Sequence, residues 1–395
     1  MKILKGCALS LLSFLFFLSL ALFGVAFMIN QTALNPHFVI TELNSLDVAS
    51  LVEESIVSEQ PPSDELTTKL VDTIPKVEPL VKEKTGFVIY SVYDYLLGKS
   101  RDIDLALTLR NSLLSKDFVL SVLDEVDISD LAGDFLNKQL IEQMPAEVQP
   151  YITEESLDKF VTELKTELKE QINSAADPVL DYLVGKRQSF SVTISLEPVK
   201  TSLGDTLKEE FLKSPPPELA GASQAELEQA FDQYYEEIAA QMPSTFEIDQ
   251  SLLGTDTPAK ITDGLSQAEE ALALARKYIA YFQLGYKILI AFMVLIVIGI
   301  ILIDREVRAT TRRLGVPLLV YGAIDYAGII VGKYFLSSGK ITLPEVPPHL
   351  ETWLFQFIDN LIKPLEIFSI SLLICGVVLT IVSFVYRPSQ SQPEG

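Results

Sequence analysis

An aspartate near the middle of a long apolar segment is the residue whose position most directly indicates chemistry. Asp325 lies within the apolar run 314–336, where an ionised carboxylate costs about 3 kcal/mol and commonly marks a functional site. It could bind or relay a proton or a cation, or form a hydrogen bond while protonated. Gly328 and Gly332 share its helical face, so we expect this face to pack closely inside a bundle. The functional and the structural interpretation of Asp325 both stay open.

An acidic stretch earlier in the chain is a candidate for a weak cation site. It comprises Asp124, Asp127, Asp130 and Asp134, together with Glu125. Carboxylate oxygens suit calcium, although the stretch lacks the spacing and the glycine of an EF-hand loop. The simpler interpretation is that Asp127 or Ser129 caps the following helix and that Asp130 lies in its first turn, near the positive end of the helix dipole.

Residue types that commonly carry catalysis are scarce in this sequence. Histidine occurs only as His37 and His349, and both cysteines, Cys7 and Cys375, lie in apolar segments. A histidine-based triad, a multi-histidine metal site and a disulfide in the polar region are therefore not expected. The sequence also contains no phosphate-binding glycine loop, dinucleotide fingerprint or paired-cysteine metal motif. We predict no cofactor, no metal and no enzyme activity, with carboxylate-only catalysis as an alternative.

Four apolar segments predict the elements that must position Asp325. They span 7–29, 281–303, 314–336 and 364–386, and each reaches the roughly 20 residues that cross a hydrocarbon core. The first exceeds the apolar stretch of a cleaved signal peptide, so we interpret residues 1–30 as an anchor, with cleavage after Ala26 as the alternative. The predicted fold class is a membrane α-helical bundle of four transmembrane helices plus an α+β extracytoplasmic domain.

Basic residues beside these segments predict the orientation in the membrane. Lys2 and Lys5 precede the first segment, four arginines lie in the turn 304–313, and Arg387 begins a tail that we expect to be disordered, 387–395. Such residues are retained on the cytoplasmic side. We therefore expect both termini inside a cytoplasmic membrane and residues 31–280 outside. That outer region holds 45 acidic and 20 basic residues, which favours solubility, repels nucleic acid and leaves attraction of cations open.

Three short motifs recur in the same order within the outer region. Residues 40–42 and 45–47 match 152–154 and 156–158, residues 94–99 match 181–186, and residues 143–145 match 241–243. Three motifs in register predict a tandem duplication, with repeats at 31–148 and 149–255.

Periodicity predicts the order helix, strand, helix, helix within each repeat. Apolar residues alternate with polar ones over 103–109 and over 190–196, as in strands with one buried face. Leu105 and Val192 are expected to be buried in one shared sheet, which segments 38–41 and 246–249 are candidates to join. Gly98 and Gly185 are expected to end the preceding helices in the left-handed conformation. Further helices are predicted over 113–125 and 201–213, and Ser223 with Glu226 forms a capping-box pattern.

Two more helices are predicted beside the membrane. A connecting helix over 256–280 is expected to continue into the second span, in the domain 281–386. An amphipathic helix near 349–362 is predicted from an apolar stripe of Leu350, Trp353, Leu354, Phe357, Ile358 and Leu361. It lies either at the outer membrane interface or beneath the outer domain.

Three classes of function are compatible with these features. The favoured one is a binding, sensing or assembly role at the cell envelope, because the predicted cytoplasmic parts are too short for a signalling domain and four helices are few for a secondary transporter. The alternatives are a transporter or channel component that uses Asp325, and a carboxylate-based membrane enzyme. The expected partners are the lipid bilayer, other membrane or envelope proteins or further copies of this chain, and not nucleic acid.

Overall fold

The structure is a computed structural model that describes residues 2–51, 65–125, 154–219, 221–242, 244–253, 257–338 and 348–385. The chain divides into two compact units. The membrane unit comprises residues 1–51, 89–103 and 271–395, and the second unit comprises residues 52–88 and 104–270.

The regular structure of the described residues is mostly helical, with one pair of strands. In chain order the elements are α1 (Lys2–Gln31), α2 (Pro36–Ser45), α3 (Glu65–Leu96), α4 (Leu105–Arg110), α5 (Lys116–Glu125), α6 (Glu154–Leu183), β1 (Ser191–Ser195), α7 (Glu197–Lys213), α8 (Gln224–Gln241), β2 (Thr245–Asp249), α9 (Gln250–Leu253), α10 (Thr257–Asp304), α11 (Val307–Ser337) and α12 (Pro348–Val385). A short 3-10 turn, Pro217–Leu219, lies between α7 and α8.

The membrane unit contains four helices that are long and apolar enough to cross a bilayer. Among the described residues these are α1, α10, α11 and α12, with mean hydropathies between 1.8 and 2.9 over their spans. Large apolar side chains such as Leu295 (65% exposed) and Ile324 (61% exposed) face outward, which is favourable in hydrocarbon rather than in water. The chain is therefore a membrane protein with four candidate spanning helices, as predicted.

The first helix is packed into this bundle. The buried residues of its contact are Leu9, Phe16 and Leu20 of α1, Ile296 and Ile300 of α10, and Tyr321 of α11. Phe23 adds ring contacts to Tyr286 at 5.5 Å and to Phe368 at 5.4 Å between centroids. α1 thus contacts α10, α11 and α12.

Two of the spanning helices are much longer than a bilayer requires. α10 is continuous from Thr257 to Asp304, so the predicted continuity of the connecting helix with the second span is confirmed. α12 contains Pro364 and has 38 residues. At 1.5 Å per residue, its length is about 57 Å. The predicted amphipathic segment 349–362 is helical, but it is the first part of α12 and not a separate helix.

Three helices form the core of the second unit. Their buried apolar residues are Phe160 of α6, Leu203, Leu207 and Phe211 of α7, and Leu227 and Phe231 of α8. The Tyr235 hydroxyl donates to the Lys200 carbonyl. Gly204 makes space for the Tyr235 ring, because a Cβ at that position would lie 2.6 Å from it. The predicted capping box of Ser223 and Glu226 is confirmed at the start of α8.

The sheet of the second unit has only two strands. β1 pairs antiparallel with β2, with Val192 opposite Ile248, so the strands predicted at 190–196 and 246–249 are confirmed. Gln171 of α6 donates to the Ser195 carbonyl at 2.8 Å and accepts from the Ser195 amide at 2.7 Å. The Gln171 side chain thereby satisfies the Ser195 amide and carbonyl, which a further strand at this edge of β1 would otherwise bond.

Two segments predicted as strands are helices. Residues 105–110 form α4 because the Asp104 carboxylate accepts a hydrogen bond from the Leu107 amide at 2.7 Å and caps the helix. Leu105 is buried, but within α4 and not in a sheet. Residues 38–41 lie in α2, which begins with Pro36 after the N-cap Asn35. The first half thus has a helix where the predicted repeat required a strand.

The glycine caps predicted at Gly98 and Gly185 are confirmed. Both residues are in the left-handed region, with φ of 77° and 75°. In each case the carbonyl four residues earlier, of Asp94 or Asp181, accepts from the two amides that follow the glycine, at 2.8 to 3.2 Å. The matched motifs 94–99 and 181–186 therefore adopt the same local backbone structure.

Replacing Arg110 tests the contact that holds α4 against α6. Arg110 binds Asp177 at 2.5 Å and Asp181 at 2.9 Å, and its side chain is only 14% exposed. We expect Arg110→Met to destabilise α4 by about 1 to 2 kcal/mol, because two carboxylates lose their cation. Hydrogen exchange of residues 105–110 measures this loss. The control is Lys99→Met, which removes the ion pair with Asp94, where the lysine side chain is 64% exposed. It should leave hydrogen exchange of residues 105–110 unchanged. Equal effects of the two substitutions would contradict the role assigned to Arg110.

Candidate functional site within the membrane bundle

Asp325 lies on the side of α11 that contacts α12. The Ser369 hydroxyl donates to Asp325 Oδ2, and Ser369 is completely buried. The same hydroxyl lies 2.8 Å from the Leu365 carbonyl of its own helix. A serine hydroxyl has one hydrogen and can donate to only one of these two acceptors at a time.

The Tyr321 hydroxyl also lies close to the Asp325 carboxyl group. Tyr321 lies one helical turn before Asp325 on α11 and is 7% exposed. Its ring meets Phe17 of α1 edge-on at 5.9 Å between centroids. Gly24 of α1 accommodates the hydroxyl, because a Cβ there would lie 2.7 Å from Tyr321 Oη. The half-buried carboxyl group therefore lies between α11 and α12, and α1 packs against the neighbouring tyrosine.

Glycines bring α11 and α12 into backbone contact beside this cluster, on the side toward the beginning of α11. A Cβ on Gly322 would lie 2.8 Å from the Ser369 carbonyl oxygen, and one on Gly376 would lie 2.4 Å from the Leu319 amide nitrogen. Gly315 belongs to the same line of close contacts between α11 and α12, the seam: a Cβ on it would lie 3.0 Å from Leu379 Cβ. The prediction that Gly328 and Gly332 form the close contact is wrong, since both are exposed and a Cβ on either would meet nothing within 4 Å.

Other ionisable groups near the ends of the spans form ion pairs. Lys333 Nζ binds Glu366 at 2.6 Å and Asp359 at 2.9 Å. At the other end of α11, Arg313 Nε lies 2.9 Å from Asp304 Oδ2, and Asp304 is 7% exposed. Pairing of this kind offsets the cost of removing charge from water.

The amphipathic part of α12 contacts α2. Trp353 Nε1 donates to the Glu42 carbonyl at 2.9 Å, and Asn360 Nδ2 donates to Glu42 Oε2 at 3.3 Å. The rings of Phe38 and Phe357 lie 6.0 Å apart. Beside this contact is a cavity of about 560 Å³, lined by Phe27, Gln31, Phe38, Thr41, Glu42, Asn360, Lys363, Pro364 and Ile367. The apolar stripe is thus covered in part by α2, a segment of the region 31–280, although the sequence did not indicate which segment would contact it.

The candidate cation cluster is described only in part. Asp124 lies in α5 and binds Lys169 at 2.7 Å, so an ammonium group already neutralises it. Asp127, Asp130 and Asp134 lie outside the described residues. Within the described ranges, no group of three or more histidine, cysteine, aspartate or glutamate side chains is placed to hold a metal ion.

Ser369, which bonds Asp325, and its neighbour Tyr321 are the residues of this site that sequence reasoning missed. Ser369 is one of several serines in the apolar helix α12, and spacing within one helix does not reveal which residue of another helix faces it. Polar side chains in spanning helices tend to hydrogen-bond across helices, so a short list of such residues could have been proposed as partners.

No protein-family model, curated protein or solved structure matches this chain. Its function is therefore inferred from the contacts of the described residues.

Two substitutions of Asp325 separate an ionisable role from a hydrogen-bonding role. If the carboxyl group only joins helices, Asp325→Asn should change thermal stability little, because an amide retains size and hydrogen bonding. Asp325→Leu should destabilise the bundle by about 1 to 3 kcal/mol by leaving the buried Ser369 without its partner on α11. Thermal unfolding of the purified variants in detergent provides the measurement. A stable leucine variant would show that these contacts contribute nothing.

A pair of glycine substitutions tests the seam between α11 and α12. Gly376→Leu should lower the free energy of unfolding by about 1 to 3 kcal/mol or more, because the new side chain collides with the backbone of α11. Gly328→Leu is the matched control and should be close to neutral, since that position faces open space. Comparable losses for both variants would refute this helix packing.

Proposed function

We propose that this chain is a membrane-anchored binding or assembly protein. The four-helix bundle is its anchor, and the acidic region between the first and second spans is the part that meets a partner. The observation that supports the proposal most is the contact of Asp325, the carboxyl group that a transport role would use. It accepts a hydrogen bond from Ser369 where α11 and α12 pack closely.

The geometry around Asp325 favours a structural role over ion passage. Gly322 and Gly376 place the backbones of α11 and α12 in contact on the side of Asp325 toward the beginning of α11, which supports a role of this region in helix packing. The Ser369 hydroxyl, which donates to Asp325 Oδ2 and lies 2.8 Å from the Leu365 carbonyl, joins the carboxyl group to α12.

The charge of the region 31–280 supports a partner on the extracytoplasmic side. The region carries 45 acidic against 20 basic residues, and basic residues flank the spans on the other side, as expected for the cytoplasmic face. Helix α8 alone contributes five carboxylates and no basic residue. Such a surface attracts basic partner surfaces and repels nucleic acid and anionic headgroups at long range.

We also propose that the region 31–255 arose by tandem duplication. The identical caps at Gly98 and Gly185 support a common origin of the two motifs. The strand β1 and the helix α4, which follow these caps, represent divergence of the two halves after duplication. Such divergence is compatible with a binding surface formed mainly by one half.

The orientation is tested with single cysteines in a background where Cys7 and Cys375 are replaced by serine. A cysteine at Ser338, the C-cap of α11, should react with a membrane-impermeant maleimide in intact cells. A cysteine at Thr310, in the first turn of α11, should react only after permeabilisation. The reverse pattern would place the acidic region in the cytoplasm.

Two measurements test the proposed role. Liposomes containing the purified protein should show no more proton, sodium or potassium flux than empty liposomes. A photo-crosslinking residue at the exposed Glu237 of α8 should give a discrete adduct in intact cells, whereas one at the buried Phe231 should not. Flux that disappears in Asp325→Asn would replace this proposal with transport. Equal crosslinking at both positions would remove the evidence for a binding surface.

A further inference from the structure

A cavity lies between α1 and the beginning of α11, at the end of the bundle that carries the arginine-rich turn. Its volume is about 590 Å³. It is lined by Ser13, Glu306, Arg308, Ala309, Arg312, Arg313, Val316 and Pro317. None of these residues takes part in the Asp325 cluster or in the contact between α2 and α12.

The rim of this cavity has an unmatched positive charge. Arg313 is held by Asp304 at 2.9 Å, but no carboxylate among the described residues forms an ion pair with Arg308 or Arg312. Both side chains are exposed. Glu306 is the only acidic residue in the lining, so two unpaired arginines face one carboxylate.

The start of α11 adds backbone donors to the same rim. The N-cap residue Glu306 makes no side-chain hydrogen bond to the first turn. The first-turn amides of a helix have no partner within the helix, and together with the helix dipole they attract anions. Arg308 and Ala309 of this turn line the cavity, so the backbone and the arginines favour the same kind of ligand.

The deeper wall of the cavity is apolar and lies within the span. Pro317 is ten residues after Val307, the first residue of α11, and therefore about 15 Å further along the helix axis. Val316, which lines the cavity, is 42% exposed. The Ser13 hydroxyl is itself buried and has no hydrogen-bond partner among the described residues. The cavity thus offers a cationic rim, an apolar wall and one unused hydroxyl.

We propose that this cavity is a selective binding site for an anionic phospholipid. Its phosphate is bound by Arg308, Arg312 and the first turn of α11, and one acyl chain lies along Val316 and Pro317. Basic pockets between spanning helices are suited to lipid phosphates, and a guanidinium binds phosphate with two charge-assisted hydrogen bonds. Ser13 is placed to hydrogen-bond an ester oxygen of the same lipid. The site is independent of the partner proposed for the acidic region.

Lipid-dependent thermal stability of the full chain in maltoside detergent tests this site. Dioctanoyl phosphatidylglycerol should raise the unfolding temperature saturably, because a ligand that binds only the folded state stabilises it. Dioctanoyl phosphatidylcholine has the same chains without net charge, and inorganic phosphate has the anion without chains; both should give much smaller shifts. An equal shift with phosphatidylcholine would overturn selectivity, and an equal shift with phosphate would show a simple anion site and overturn the lipid assignment.

Variants locate the effect in this cavity. Arg308→Gln combined with Arg312→Gln should raise the phosphatidylglycerol concentration for half-maximal shift at least about tenfold. Val316→Trp should weaken the lipid effect without changing the charge, by filling the apolar wall. Arg305→Gln is the matched control, because Arg305 is in the same turn but does not line the cavity.

The single variants Arg308→Gln and Arg312→Gln keep the test decisive if the double variant does not fold. Each should weaken the lipid effect. An unchanged response in the arginine variants, or an equal loss in Arg305→Gln, would overturn the proposal.

Discussion

A polar group that enters hydrocarbon is costly unless it finds a partner, because no water is present there to replace it. The contact between α11 and α12 follows from this constraint. Asp325 can lie in a span because Ser369 reaches it, and Ser369 reaches it because Gly322 and Gly376 allow the two backbones to touch. Lys333 and Asp304 obey the same rule nearer the ends of the spans, with carboxylate and guanidinium partners. Close packing and polar pairing therefore depend on each other in this bundle.

The elements that were predictable from the sequence are those encoded by long or chemically distinctive patterns. The spans follow from length and hydropathy, and the caps at Gly98 and Gly185 follow from the conformational freedom of glycine. Alternation of apolar residues was a weaker signal. Residues 191–195 contain Val192, Thr193 and Ile194, which favour strands, whereas residues 105–110 offer leucines and alanine, which favour helices. Residue type, and not alternation, separates β1 from α4.

The remainder could not be predicted because it depends on which helices are neighbours. Gly328 and Gly322 are equally small and lie on the same helix, yet only Gly322 faces α12. The contact of Trp353 with the Glu42 carbonyl joins residues 311 positions apart in the chain, and local pattern says nothing about such a pair. The cavity beside Arg308 and Arg312 likewise exists only because α1 lies against α11. Single-sequence reasoning identified a candidate residue, Asp325, but not the partners that define what it does.

Pro364 has a mechanical consequence for α12. It lies between Trp353 and Asn360, which contact α2, and Ser369, which contacts Asp325. A proline within a helix cannot bond the carbonyl four residues earlier, here that of Asn360, and it is the usual point at which a helix bends. Bending of α12 is therefore easiest at Pro364, between its contacts with α2 and its contact with Asp325. A displacement of α2 can be accommodated there with less change at the serine and aspartate pair.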